Sequence, residues 1–218
     1  MDYSRIPEEL KNQNQWVCAW DGSKVPMRAF ERKAASSTAP DTWSTFEQAE
    51  WAVENGHYDH IGYVFADQNI VGIDIDAGFE DGLMTPLCAD IMQACHSYTE
   101  KSRSGRGVHI LMRGKLPFSG KNNLAGVEIY QARRFFIMTG KVLIFPEIID
   151  NQEAIDYVVE KYFKETEKPS SYNQKRTVQL NYAVLKNIYH ARRNHKLDEW
   201  HTFCHFIELL PHSELITE

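Results

Sequence analysis

Short apolar runs broken by turn residues fill the first three-quarters of the chain, and most are too short for helices. Ile61 to Ala66 and Ile70 to Ile75 are separated by Asp67-Gln-Asn69, which predicts a hairpin. Trp16 to Trp20 and Lys24 to Met27 flank Asp21-Gly22 and predict a second, with Pro26 marking an edge strand. Further strands are expected near Ser97 to Lys101, Val108 to Met112, Gly126 to Tyr130 and Phe135 to Thr139. Helical signals interleave with these. Ser44-Thr-Phe-Glu47 has capping-box spacing and opens a helix to about Asn55, stopped by Gly56, and Thr85 to His96 and Gln152 to Phe163 predict two more. Residues 165–176 are polar and contain Pro169, as a linker would. Beyond it, Val178 to about Asn194 and Asp198 to Leu210 predict a helical hairpin. The expected organisation is a mixed α/β domain over 1–164, a linker over 165–176 and a helical appendage over 177–218.

Composition adds limits. With 218 residues, 43% hydrophobic and 25% charged, the chain can bury one core and carry a small appendage. No apolar run has the length of a membrane span, and Met1-Asp-Tyr-Ser-Arg-Ile-Pro lacks a signal core, so no membrane partner and a cytoplasmic location are expected. Cys18, Cys88, Cys95 and Cys204 are scattered without a Cys-x-x-Cys pair, which indicates neither a disulfide framework nor a zinc ribbon. His195, His201, Cys204 and His205 suggest zinc only weakly, since ordinary structural use explains them. The net charge of −6 argues against a nucleic-acid partner, yet residues 101–141 hold nine Lys or Arg against the single acid Glu128, leaving −14 for the rest. Such a run is either a solvated face or a local field for polyphosphate.

Three polar clusters interrupt the apolar runs: Gly72-Ile-Asp-Ile-Asp76, Ser102-Arg-Ser-Gly-Arg-Gly-Val-His109 and Val127-Glu-Ile-Tyr-Gln-Ala-Arg-Arg134. Strand alternation would project Asp74 and Asp76 from one face and Ile73 and Ile75 from the other. Adjacent carboxylates repel unless a cation lies between them, and hard oxygen ligands suit Mg2+ or Mn2+. Asp-x-Asp alone also fits a turn, a surface pair or a glycosyltransferase-type metal motif. Glu128, with Val127 and Ile129 turned to the core, is the natural third ligand for a two-ion site. In the second cluster Gly105 and Gly107 let the backbone approach closely, Ser102 and Ser104 add hydroxyls, and Arg103 and Arg106 add charge. That is the chemistry of a phosphate cradle, although it lacks the Walker ending. His109 fits either a phosphate donor or a satisfied core histidine. In the third cluster Arg133 or Arg134 can bind a triphosphate. Phe135 and Phe136 fall on opposite faces, so one of them can line a pocket or both can serve the core.

The order Asp-x-Asp, Ser-x-Ser-Gly-x-Gly-x-His, Glu-x-Tyr and Arg-Phe-Phe-x-x-Thr-Gly resembles the primase-polymerase (prim-pol) domains of phages and plasmids, in the archaeo-eukaryotic primase superfamily. The resemblance runs over roughly residues 14–145, and includes Lys24-Val-Pro26, Ala35-Ser-Ser-Thr-Ala-Pro-Asp-Thr-Trp43 and Ser97-Tyr-Thr-Glu100. It implies an α+β fold, with an RRM-like catalytic sheet beside a smaller N-terminal α/β module, here followed by the helical hairpin. It also implies template-directed primer or DNA synthesis from nucleoside triphosphates on single-stranded DNA template and primer. Asp74, Asp76 and Glu128 would be the metal triad for two Mg2+ or Mn2+ ions. Ser102, Ser104 and His109 would meet the triphosphate, with Gly105 and Gly107 shaping the turn. Arg134 would contact phosphate, Phe135 would face the sugar, and Lys24 is a weaker nucleotide contact. Many relatives continue into a helicase domain, so a replicative helicase on a separate chain or missing segment is the expected partner. The alternative is a non-catalytic or weakly catalytic subunit of the same fold that recruits a helicase or binds origin DNA. A relaxase-type nickase would need His-x-His, which the sequence lacks.

Overall fold

A computed structural model describes residues 2–163 apart from Asp67 and Leu124; the expected linker, the helical hairpin and the weak zinc candidates lie outside the described residues. In chain order the elements are α1 (Glu8–Lys11), β1 (Trp16–Ala19), a 3-10 turn (Pro40–Thr42), α2 (Phe46–Glu54), β2 (His60–Ala66), β3 (Ile70–Ile75), β4 (Phe79–Glu80) and β5 (Leu83–Met84). There follow α3 (Pro86–Cys95), β6 (Thr99–Lys101), β7 (Val108–Arg113), β8 (Gly120–Asn122), β9 (Val127–Tyr130), β10 (Ala132–Met138) and α4 (Gln152–Phe163). The strands form a three-stranded sheet β1-β2-β10, a five-stranded sheet β6-β7-β3-β9-β8 and the small hairpin β4-β5. Every strand pair is antiparallel, giving a mixed α+β fold.

Two expected hairpins are corrected. β2 and β3 do not pair: β2 is hydrogen-bonded to β1 and β10, while β3 lies between β7 and β9. Each strand has both edges satisfied by distant partners, so the chain changes sheets between Ala66 and Ile70. Likewise β1 meets the second arm of its expected hairpin only at Met27, through a bridge with Cys18. Pro26 has no N–H to extend that ladder, and Val25 is exposed. The helix cap also shifts by one residue. Thr45, with Gln48, forms the capping box of α2, because Ser44 is spent bridging Trp16.

Alternation on β3 explains how the larger sheet is covered. Ile73 and Ile75 share one face with Ile110, Val108, Ile129 and Val127, their register partners, and all six are buried. α3 lies against β7, and α4 against α3. On the opposite face Leu111 and Tyr130 join a core with Phe65 and Phe136 of the smaller sheet. Gly72 sits between the register positions of Leu111 and Tyr130. A Cβ at Gly72 would overlap the Phe65 ring and come within 2.8 Å of Phe136 Cε2, so this glycine sets how closely the sheets approach. Cys18, Cys88 and Cys95 are free and buried. Among the described residues no helix is long and apolar enough to cross a membrane.

Gly72→Ala is expected to destabilise the protein by about 1–3 kcal/mol, the usual range for overpacking. Urea unfolding followed by circular dichroism measures it as a lowered midpoint with an unchanged slope.

Candidate functional site

A row of side chains crosses the five-stranded sheet. Glu100 on β6 is the register partner of His109 on β7, His109 of Asp74 on β3, Asp74 of Glu128 on β9, and Glu128 of Asn122 on β8. Directly opposed residues project to one face of a sheet, so Glu100, His109, Asp74 and Glu128 are brought side by side. β3 ends at Ile75, and Asp76 stands just beyond it, exposed, its N–H donating to Gly126 O at 3.0 Å. Strand alternation therefore does not set the direction of Asp76, but it lies near enough to act electrostatically on Asp74.

The row grades from buried to open. Glu100 is wholly buried, the His109 side chain is 7% exposed, and the side chains of Asp74 and Glu128 are 22% and 20% exposed. His109 Nδ1 lies 3.1 Å from Glu100 Oε1, and Nε2 lies 3.7 Å from Asp74 Oδ1. The ring stacks on Phe136 with centroids 4.9 Å apart and planes inclined by 23°. Burial alone would lower the His109 pKa, but the Glu100 hydrogen bond and the charges of Asp74, Glu100 and Asp76 together raise it above 6.5. Asp74 is raised above 3.8 by burial first; Asp76 and Glu128 add to the shift, and His109 and Arg134 oppose it.

The cradle is the turn joining β6 to β7. Ser102 N–H donates to Gly107 O at 2.9 Å and Gly105 N–H to Ser102 O at 3.0 Å, with Gly105 in the left-handed region. Ser102 Oγ accepts from Gly107 N–H at 3.1 Å, Ser104 Oγ accepts from Arg106 N–H at 3.3 Å, and the two hydroxyls lie 3.2 Å apart. One hydroxyl proton serves that contact, which leaves the other to donate outward. A Cβ at Gly107 would stand 2.8 Å from Ile75 O, so glycine is what allows the turn to lie against the end of β3, beside Asp76. Arg103 pairs with Asp21, which also holds His60 Nε2 at 3.0 Å. That contact ties the cradle to the loop carrying Lys24, itself exposed and three residues along the chain from Asp21.

Arg134 reaches the row, its Nη2 2.7 Å from Glu128 Oε2 and its guanidinium over the Tyr130 ring. A bulge between Ala132 and Arg134 leaves Arg133 with a φ of 60°. Of the two phenylalanines, Phe136 stacks on His109, whereas Phe135 lies against Gly62 on the other face of the smaller sheet. Local pattern shows that the two diverge, but not which one meets the site. Residue chemistry alone does not single out Glu100, Tyr98 or Thr139. The available signal was a carboxylate in a strand whose neighbours are buried, nine residues before His109.

Among the described residues no group of three or more His, Cys, Asp or Glu side chains stands as a ready ligand set. Glu128 is engaged by Arg134, and Asp74 faces His109. The donor chemistry nevertheless suits a hard divalent cation, because Asp74 is a desolvated carboxylate further disfavoured by two neighbouring acids. A folded-state pKa above the unfolded one means that Asp74 favours folding below pH 3.8, and that this contribution is lost as pH rises through the folded value. Without divalent ions at neutral pH, Asp74→Asn is expected to raise the unfolding midpoint by roughly 2–4 °C, equivalent to about 1 kcal/mol. The gain should vanish below pH 3.8, where Asp74 is protonated in both states; thermal scans against pH measure both effects.

No family model matches the chain. The chain is 28% identical over 144 residues to a protein named DNA Primase-polymerase from Nitratiruptor phage NrS-1, an overlap covering 61% of this chain and 20% of the relative. It therefore spans about a fifth of the length of that curated relative. Over the shared segment the chain is a relative of a phage primase-polymerase, the kind of domain its ordered motifs resemble.

Proposed function

We propose that this chain is a template-directed DNA primase/polymerase of phage or plasmid type, transferring nucleotides from nucleoside triphosphates with release of pyrophosphate. The observation that carries this reading is the row His109, Asp74 and Glu128 on adjacent strands, with the Ser102 to Gly107 turn beside it. The five-stranded sheet then serves as the RRM-like catalytic sheet and the three-stranded sheet with α2 as the smaller module, within a catalytic domain over 1–164. Asp74, Asp76 and Glu128 would hold two Mg2+ or Mn2+ ions. When bound, such ions activate the attacking 3' hydroxyl and shield the leaving pyrophosphate.

The remaining roles belong to side chains. The outward hydroxyl of the Ser102–Ser104 pair and the cradle N–H groups would donate to phosphate oxygens, as would His109 Nε2. Arg134 is 44% exposed and would exchange Glu128 for a phosphate, which frees that carboxylate as the nucleotide arrives. Lys24 and Arg106 add positive charge at the entrance, where a single-stranded template and primer would approach. Phe136 adjoins His109 from within the core, and Phe135, only partly buried, stays the aromatic to vary in tests of sugar choice. A replicative helicase, on a separate chain or a missing segment, remains the expected partner.

Purified protein should extend a primer, or make short oligonucleotides, on single-stranded template with Mg2+ or Mn2+. Asp74→Ala, Asp76→Ala and Glu128→Ala are each expected to lower incorporation by about a hundredfold or more, as loss of several kcal/mol of charge stabilisation requires. Unchanged incorporation in these variants would refute the assignment. Helicase capture without any incorporation by the parent chain would favour the recruiting subunit instead.

A further inference from the structure

We propose that Glu100 is a positioning residue for nucleotide binding: through a proton on Nδ1 it fixes the ring of His109, and it joins that histidine to the Thr139–Gly140 turn. The inference rests on the reading that His109 meets the triphosphate, and it assigns a residue whose chemistry that reading does not use.

Glu100 is wholly buried and accepts hydrogen bonds at both oxygens. Thr139 N–H donates to Oε1 at 3.0 Å and to Oε2 at 3.1 Å, Gly140 N–H to Oε2 at 2.9 Å, and the Tyr98 hydroxyl to Oε2 at 2.9 Å. Backbone N–H groups can only donate, so Glu100 acts here as an acceptor. His109 Nδ1, 3.1 Å from Oε1, must then carry a proton; otherwise two lone pairs would face each other in a buried site. Phe136 sets the plane of the imidazole by stacking, and Glu100 sets its rotation. Nε2 is left 3.7 Å from Asp74 Oδ1, too far for a hydrogen bond, so a second proton there would be available to a ligand oxygen.

The same carboxylate joins the two sheets. Glu100 belongs to β6 of the larger sheet, whereas Thr139 and Gly140 follow β10 of the smaller. The Thr139 hydroxyl adds a bond to Lys101 O at 2.6 Å. Glu100 thus links the histidine of the cradle motif to the Thr-Gly end of the strand that carries Arg134, and displacement at either would be felt at the other.

Two measurements on the full chain test this. In the parent protein, long-range 15N NMR of histidine should show His109 Nδ1 protonated; an unprotonated Nδ1 would overturn the proposal and requires no variant. Glu100→Gln keeps the volume but presents donors to donors. It is expected to raise the KM for nucleotide by about tenfold or more, the worth of one charge-assisted hydrogen bond, with primer-template affinity unchanged. Adding His109→Ala to Glu100→Gln should cost nothing further, because both changes remove one interaction. Fully additive losses, or equal weakening of nucleotide and primer-template binding, would overturn it. If the parent chain incorporates nothing, the proposed function fails separately; the same cycle is then read by calorimetry with a non-hydrolysable nucleoside triphosphate and Mg2+. Retained nucleotide affinity in Glu100→Gln would overturn the positioning role there too.

Discussion

The register of β3 between β7 and β9 is the constraint on which the site depends. It sets Asp74 opposite His109 on one side and opposite Glu128 on the other. A slip of one residue would exchange the faces of the strand, turning Asp74 among the buried isoleucines and valines and Ile73 and Ile75 toward the polar row. Each large apolar side chain so misplaced forfeits about 1.5–3 kcal/mol, and the Asp74 carboxylate would lose its partial access to water. Gly72 sharpens the choice, since only its place in the observed register admits Phe65 and Phe136.

That apolar scaffold holds a polar arrangement that is unfavourable in itself. Burial of Asp74 beside Asp76 and Glu128 works against folding, and His109 and Arg134 offset part of it. The nearby cations are engaged as well, Arg134 with Glu128 and Arg103 with Asp21. Concentrated like charge that neighbouring cations relieve only in part is characteristic of sites arranged for a ligand rather than for stability. The sheets meet beneath it at Glu100, whose buried carboxylate meets His109 of β7 and gathers N–H donors from the turn after β10. A basic cradle, an acidic row and a buried acceptor thus occupy one connected region.

Much of this was legible along the chain because strand alternation is local. Glu128 and Tyr130 are turned away from Val127 and Ile129, as parity requires, and α3 and α4 begin and end close to where their caps and apolar stripes put them. What was not legible depended on distant partners. Residues 61–75 read as a hairpin, yet both strands found better edges elsewhere, since pairing is decided by whole-sheet packing. The bulge at Arg133 and the arrival of Phe136 over His109 likewise follow from how two sheets meet. Glu100 was hidden for the same reason. Its backbone donors come from residues 39 and 40 positions away, and no local pattern announces them.

The most direct measurement is a crystal structure of the protein grown with Mn2+ and a non-hydrolysable nucleoside triphosphate, with anomalous data collected at the manganese edge. The expected result is anomalous density bounded by Asp74, Asp76 and Glu128, triphosphate oxygens against Ser102, Ser104 and His109 Nε2, and Arg134 released from Glu128. Manganese and triphosphate bound away from that row, with the Arg134–Glu128 pair intact, would contradict it.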